Sequence, residues 1–136
     1  MKTLTAFLFL LAAVPAAAEP PQPPSKVTPE VRAALQAEAA DLARQLQAAP
    51  GNADLYTRLG FVYSRLDQAD DAQRAFENAV RLDPKKAPAW YMLGLIYEKK
   101  GLTQQALAAW RACLENTSDP RARDTAQKHI HHLSRP

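Results

Sequence analysis

Three histidines, His129, His131 and His132, stand together in the last eight residues of the chain. His129 and His132 are three apart, which on a helix puts both imidazoles on one face, where they could offer two nitrogens to zinc, copper or nickel. Two ligands do not make a metal site, and the chain has no paired-cysteine motif to complete one. The cluster reads first as an exposed polar cap near the C-terminus; no metal is assigned, and His129 and His132 stay the weak candidates for one. Cys113 is the sole cysteine, so no internal disulfide forms and packing must hold the domain together. A packed, inert thiol is expected there, with an intermolecular bridge or a redox role as the alternative.

The remaining chemistry is defined by what is absent. Only four glycines occur, Gly51, Gly60, Gly94 and Gly101, spread across 51 residues, so neither a phosphate-cradling loop nor a dinucleotide turn can be built. There is no G-x-S-x-G elbow, and the histidines have no strong nucleophile near them in the sequence. No enzymatic activity and no cofactor are expected. The 17 Lys and Arg face 14 Asp and Glu, and acids interleave with bases rather than leaving a basic stripe. Asp70 with Arg74 and Glu77 with Arg81 stand four apart, as salt-bridged pairs on a solvated helix face would. A nucleic-acid partner is therefore not expected.

What could position side chains begins after an N-terminal leader. Residues 1–18 carry Lys2, an apolar run from Leu4 to Val14 and then Ala16-Ala17-Ala18, the pattern of a secretory signal cut after Ala18. The run is shorter than the roughly 20 residues that span a bilayer, so a retained anchor is the lesser reading. No cysteine follows the cut to carry a lipid. The mature chain is then expected outside the inner membrane, in a bacterial periplasm. Residues 19–29, with Pro20, Pro21, Pro23, Pro24 and Pro29, form a proline-rich linker: a tether, or alternatively a spacer or proline-rich ligand.

Beyond the linker the apolar spacing is helical throughout. Thr28 and Pro29 cap a first helix, expected over 30–49 with Val31, Leu35, Leu42 and Leu46 on one side and Pro50-Gly51-Asn52 ending it. Leu55, Tyr56, Leu59, Val62, Tyr63 and Leu66 predict a helix over 53–66, and Ala72, Phe76, Ala79, Val80 and Leu82 one over 69–82. The pair recurs over 87–100 and 103–116, with Gly101 turning the chain where Asp67 does so first; both tolerate a left-handed backbone. Asp119 and Pro120 open a sixth helix over 120–133, with Ala122, Ala126, Ile130 and Leu133 inward and Arg121, Arg123, Asp124, Gln127 and Lys128 outward.

Residues pair at a spacing of 34: Tyr56 with Trp90, Leu59 with Leu93, Gly60 with Gly94, Tyr63 with Tyr97, Ala72 with Ala106, Phe76 with Trp110, and Ala79 with Cys113. A fixed period of this size marks stacked units that cannot bury their apolar faces alone. With the closing Pro84, these residues resemble the tetratricopeptide repeat, W-x2-L-G-x2-Y followed by A-x3-F, a small residue and a proline. In the second unit Ser118 stands where the proline belongs and Pro120 follows. The resemblance implies an all-α antiparallel helix-hairpin solenoid of about six helices. Two full repeats, at about 53–86 and 87–120, lie within a helical domain of 30–134, and the first and last helices cap them. The rings of Tyr56, Phe76, Trp90 and Trp110 are expected to fill the seams as core. Something crossing close to Gly60 and Gly94 must compensate the cost of glycine in mid-helix.

In that family the partner usually lies in a groove lined by the first helix of each pair, which implies Thr57, Phe61, Ser64 and Arg65 in one unit and Tyr91, Leu95, Glu98 and Lys99 in the next. Family members that clamp a C-terminal carboxylate use Lys and Asn where this chain has Thr57, Phe61, Tyr91 and Leu95. The groove therefore reads as an apolar strip with Arg65, Glu98 and Lys99 at its margin, suited to an extended or helical peptide. The alternative is that Phe61 and Leu95 pack against a neighbouring helix. The expected function is a protein- or peptide-binding scaffold of the cell envelope. Self-association into a homo-oligomer and metal handling through the histidines are the alternatives.

Overall fold

The computed structural model describes residues 27–136; the expected signal sequence and most of the expected proline-rich linker lie outside the described residues. Among those residues there are six helices and no strand: α1 (Pro29–Ala48), α2 (Ala53–Arg65), α3 (Ala69–Leu82), α4 (Ala87–Lys99), α5 (Thr103–Asn116) and α6 (Pro120–Leu133). Each helix packs on the next in sequence, and α2 also touches α4. The chain thus forms an all-α solenoid of antiparallel hairpins in which α2, α4 and α6 make one layer and α1, α3 and α5 the other. No helix among the described residues is long and apolar enough to cross a membrane.

Helix starts follow from side chains that satisfy the free N–H groups of a first turn. Thr28 accepts from the Val31 amide at 3.3 Å and Pro29 opens α1; Asp119 does the same for α6, accepting from the Arg121 amide at 3.1 Å. Asn52, expected only as part of a breaker cluster, caps α2 by accepting from the Asp54 and Leu55 amides. Val27, assigned to the linker, instead packs against the α1–α2 core.

The two hairpins turn in the same way. At Asp67, φ is 58° and at Gly101 it is 71°. The next amide in each case, of Gln68 or Leu102, bonds back to the carbonyl of Tyr63 or Tyr97, at 3.0 and 2.9 Å. This closes the last turn of α2 and α4. Where α5 ends, Arg123 of α6 donates to the carbonyls of Leu114 at 2.9 Å and Thr117 at 3.3 Å, covering carbonyls that have no partner within the helix.

Two apolar clusters run through the stack. Leu35, Leu42 and Leu46 of α1 pack with Leu55, Leu59 and Val62 of α2, while Phe76, Leu93, Trp110 and Ala126 belong to the cluster that joins the hairpins to α6. Phe76 and Trp110 are fully buried. A Cβ on Gly60 would meet the Phe76 ring at 2.6 Å, and one on Gly94 the Trp110 ring at 2.5 Å. The glycines are therefore paired with rings of the opposite helix in their own hairpins. Leu59, Ala72, Ala79, Leu93, Tyr97, Ala106 and Cys113 are likewise buried. Tyr56, Tyr63 and Trp90, expected as full core, are only partly buried, and Pro84, expected with them, is exposed. Trp90 lies against the turn between hairpins, its Nε1 donating to the Pro84 carbonyl at 2.8 Å.

The surface ion pairs differ from the expected spacing. Arg74 pairs with Asp71, and Arg81 donates to Asn78 at 2.8 Å. Asp70 and Glu77 reach across to the next hairpin instead. Lys100 donates to Asp70 and Gln73, and the Tyr97 hydroxyl donates to Glu77 at 2.7 Å. Residues three apart are as close on a helix as residues four apart, so Asp71 serves Arg74 equally well. That leaves the other carboxylates free to tie the seam between repeats.

Candidate functional site

The layer of α2, α4 and α6 carries a cleft of ≈ 380 Å³. Phe61 of α2 forms one side, Pro88, Tyr91 and Met92 of α4 the middle, and Arg121, Ala122 and Thr125 of α6 the other side, with Cys113 of α5 beneath. The lining is mostly apolar, as in a site that accepts a hydrophobic side chain and uses few polar groups to orient it.

Phe61 and Tyr91, two of the eight residues expected at a groove, line this cleft. Phe61 is 39% exposed, its inner edge meeting the Phe76 ring at 5.2 Å and 82°. Tyr91 stands edge-on to Trp110 at 5.1 Å and 84°. Each ring thus rests on a buried core ring, which holds it in place while a face stays open. Leu95 is 37% exposed one turn along α4 from Tyr91, Lys99 is exposed at the end of α4, and Arg65 is exposed at the end of α2. Thr57 and Ser64 are half-buried, and the Thr57 hydroxyl donates to the Ala53 carbonyl at 2.9 Å.

Glu98, expected at the groove margin, is drawn away from it. Its Oε2 accepts from Trp110 Nε1 at 2.7 Å and lies 2.6 Å from His129 Nδ1. The His129 ring stacks on Trp110, with centroids 4.4 Å apart and planes 15° from parallel. The histidine cluster is therefore divided. His129 is partly buried in the α4–α5–α6 seam, whereas His131 and His132 are exposed, so the exposed cap expected for the cluster does not hold at His129. Among the described residues no three His, Cys, Asp or Glu side chains are grouped to hold a metal ion. Burial pushes the Cys113 thiol above its usual range.

Sequence reasoning missed Pro88, Met92 and the whole α6 side of the cleft. The family's groove pattern covers only the helices that carry its motif, and α6 carries none of it. The cap at Asp119 was the available signal that a further helix begins there and flanks α4.

Two tetratricopeptide-repeat family models match the chain, one over residues 53–86 and one over 75–108. The tetratricopeptide repeat domain-containing protein PYG7, chloroplastic, of Arabidopsis thaliana is 42% identical over 62 residues, 46% of this chain. The chain spans about a fifth, 21%, of that relative's length. Among solved structures, the tetratricopeptide domain of Sgt2 from Aspergillus fumigatus has a TM-score of 0.53 at 27% identity, covering 84% of this chain and 89% of that one. The first such domain of Spaghetti (RPAP3), solved with the HSP90 peptide SRMEEVD, has a TM-score of 0.57 at 19% identity, covering 80% of this chain and 98% of that one.

Proposed function

The chain belongs to the tetratricopeptide-repeat family, and from that premise we propose that it is a non-enzymatic scaffold of the cell envelope that holds a protein or peptide segment against α2, α4 and α6. The observation that carries this reading is the cleft lined by Phe61 and Tyr91, with Leu95 one turn beyond Tyr91 on α4. Phe61 and Leu95 stay more than a third exposed, each on a helix whose opposite face is packed. Exposed apolar surface beside a formed cleft marks a place where another chain is bound. The Spaghetti domain, which shares this fold, was solved with a peptide. Its acidic peptide does not transfer directly, because Thr57, Phe61, Tyr91 and Leu95 supply none of the Lys and Asn groups of a carboxylate clamp.

The signal-like residues 1–18 support an exported, periplasmic setting. Fractionation together with N-terminal sequencing tests it: a mature chain in the periplasm beginning at Glu19 is expected, and an uncut cytoplasmic one would refute it. For the function, a pull-down from envelope extract with the wild type and a Phe61→Glu/Tyr91→Glu variant is decisive. Loss of the bound proteins in the variant, with its fold retained by circular dichroism, is expected; an unchanged bound set would overturn the assignment of the site. A second reading, self-association, draws on Val31, which is 40% exposed on α1. Sedimentation that stays monomeric at high concentration would eliminate it.

A further inference from the structure

We propose that His129 is a pH-sensitive latch for α6: protonated, it fastens the helix to Glu98 and Trp110, and on losing the proton it slackens that hold and with it one side of the cleft. The inference stands apart from the peptide-binding reading, because it concerns how α6 is seated and not what the cleft holds. The repeat period shows what is unusual about this seam. Shifted back by 34 residues, Glu98, Trp110 and His129 fall on Ser64, Phe76 and Leu95. Those places one repeat earlier hold a hydroxyl, a phenyl ring and an aliphatic chain, none of which changes charge near neutral pH. Helix α4, the equivalent of α6, is thus seated without ionisable groups there. Helix α6 also has less apolar surface to hold it. Ala126 is its one buried residue, with Ile130 and Leu133 partly buried, whereas α4 buries Leu93 and Tyr97.

The contacts give the sign. Glu98 Oε2 accepts from Trp110 Nε1 at 2.7 Å and from His129 Nδ1 at 2.6 Å, and the imidazole lies flat on the indole. Both partners favour a cation: a carboxylate bonds more strongly to a charged donor, and an indole face attracts positive charge. A neutral ring keeps one uncharged hydrogen bond. Docked α6 therefore takes up the proton more readily than undocked α6. By linkage, docking strengthens as pH falls and weakens as it rises across the imidazole range, about pH 5 to 8. Glu98 is the charged group that α4 turns to His129, Lys99 being exposed at the helix end. Helix α5 presents the uncharged indole, with Arg111 and Glu115 exposed. On α6, Lys128 pairs with Asp124 at 2.7 Å, and His131 and His132 are exposed to water, which screens them.

Amide hydrogen exchange of the whole chain at about pH 5.5 and about pH 8, corrected for the pH dependence of intrinsic exchange, tests the latch, with α2 and α3 as internal references. Protection of α6 relative to those helices is expected to be roughly threefold or more higher at the lower pH. His129→Gln, which can still donate to Glu98 but cannot take a charge, should lose the pH dependence. Glu98→Gln, which keeps an acceptor for the indole, should lose it as well, and His131→Gln/His132→Gln should retain it. Equal relative protection of α6 at both pH values in the wild type would overturn the latch. So would a pH dependence that survives His129→Gln or vanishes with His131 and His132. If His129→Gln leaves α6 unprotected throughout, the Glu98→Gln chain decides in its place by the same criterion. Because α6 alone is read, failure of the latch leaves the binding site standing, and an unchanged pull-down leaves the latch standing.

Discussion

At the scale of single residues, the helices carry atoms that are absent for a reason. Gly94 costs α4 about 1 kcal/mol relative to alanine, but an alanine Cβ would sit 2.5 Å from the buried Trp110 ring. Overpacking of about 1–3 kcal/mol exceeds the propensity gain, so Gly94→Ala is expected to lower stability by roughly 1 kcal/mol or more in urea unfolding. Gly51, where an added methyl would find nothing within 4 Å and φ is not left-handed, is the control whose alanine variant should melt as wild type. Tyr97 supplies a pH-dependent prediction. Burial first, then its hydrogen bond to Glu77 and that group's charge, raise the phenol well above its usual range. The folded chain keeps a proton that the unfolded chain releases. This contribution is complete below about pH 10 and is lost as pH rises beyond it. Tyr97→Phe should flatten the fall in melting temperature above about pH 10. At neutral pH it should cost about 1–2 kcal/mol through the lost bond to a carboxylate.

At the scale of elements, caps and turns were readable because they depend on neighbours in sequence. Thr28 before Pro29, Asp119 before Pro120, and Asp67 and Gly101 at matching positions each act within a few residues of themselves, and the structure uses all of them. The hairpin turns predict an asymmetry. Gly101→Val puts a branched side chain at φ 71° and should destabilise by about 1–2 kcal/mol, whereas Asp67→Gly should leave stability unchanged or slightly raise it. Thermal unfolding of the two variants side by side checks this. The ion pairs were less legible. Spacing within α3 offered Arg74 to Asp70, but Lys100 of the next hairpin reaches that carboxylate and takes it, holding the Asp70 carboxyl below its usual range. A helix wheel shows which face a carboxylate occupies; which cation waits opposite depends on how the next hairpin stacks.

At the scale of the whole molecule, α6 completes two things at once. It covers Trp110 with His129 and the buried Ala126, and it forms one side of the cleft through Arg121, Ala122 and Thr125. Truncation after Ser118 is expected to expose Trp110, red-shift its fluorescence and cost about 3 kcal/mol or more from lost apolar burial. The same truncation should abolish peptide binding, and a truncated chain that melts and binds as wild type would refute this role. By itself, the sequence determined the six helices, their hairpin pairing and the rings at the seams. These follow from a 34-residue period and from caps that act locally, so no distant contact is needed to specify them. Only the tertiary structure decided which of the candidate groove residues stay available. Glu98 and His129 are 31 positions apart and meet because α4 and α6 both pack on α5 around Trp110. That meeting removes an acid from the binding face and a histidine from the C-terminal cluster, because a carboxylate at a seam is drawn to donors that the stacking of helices brings within reach.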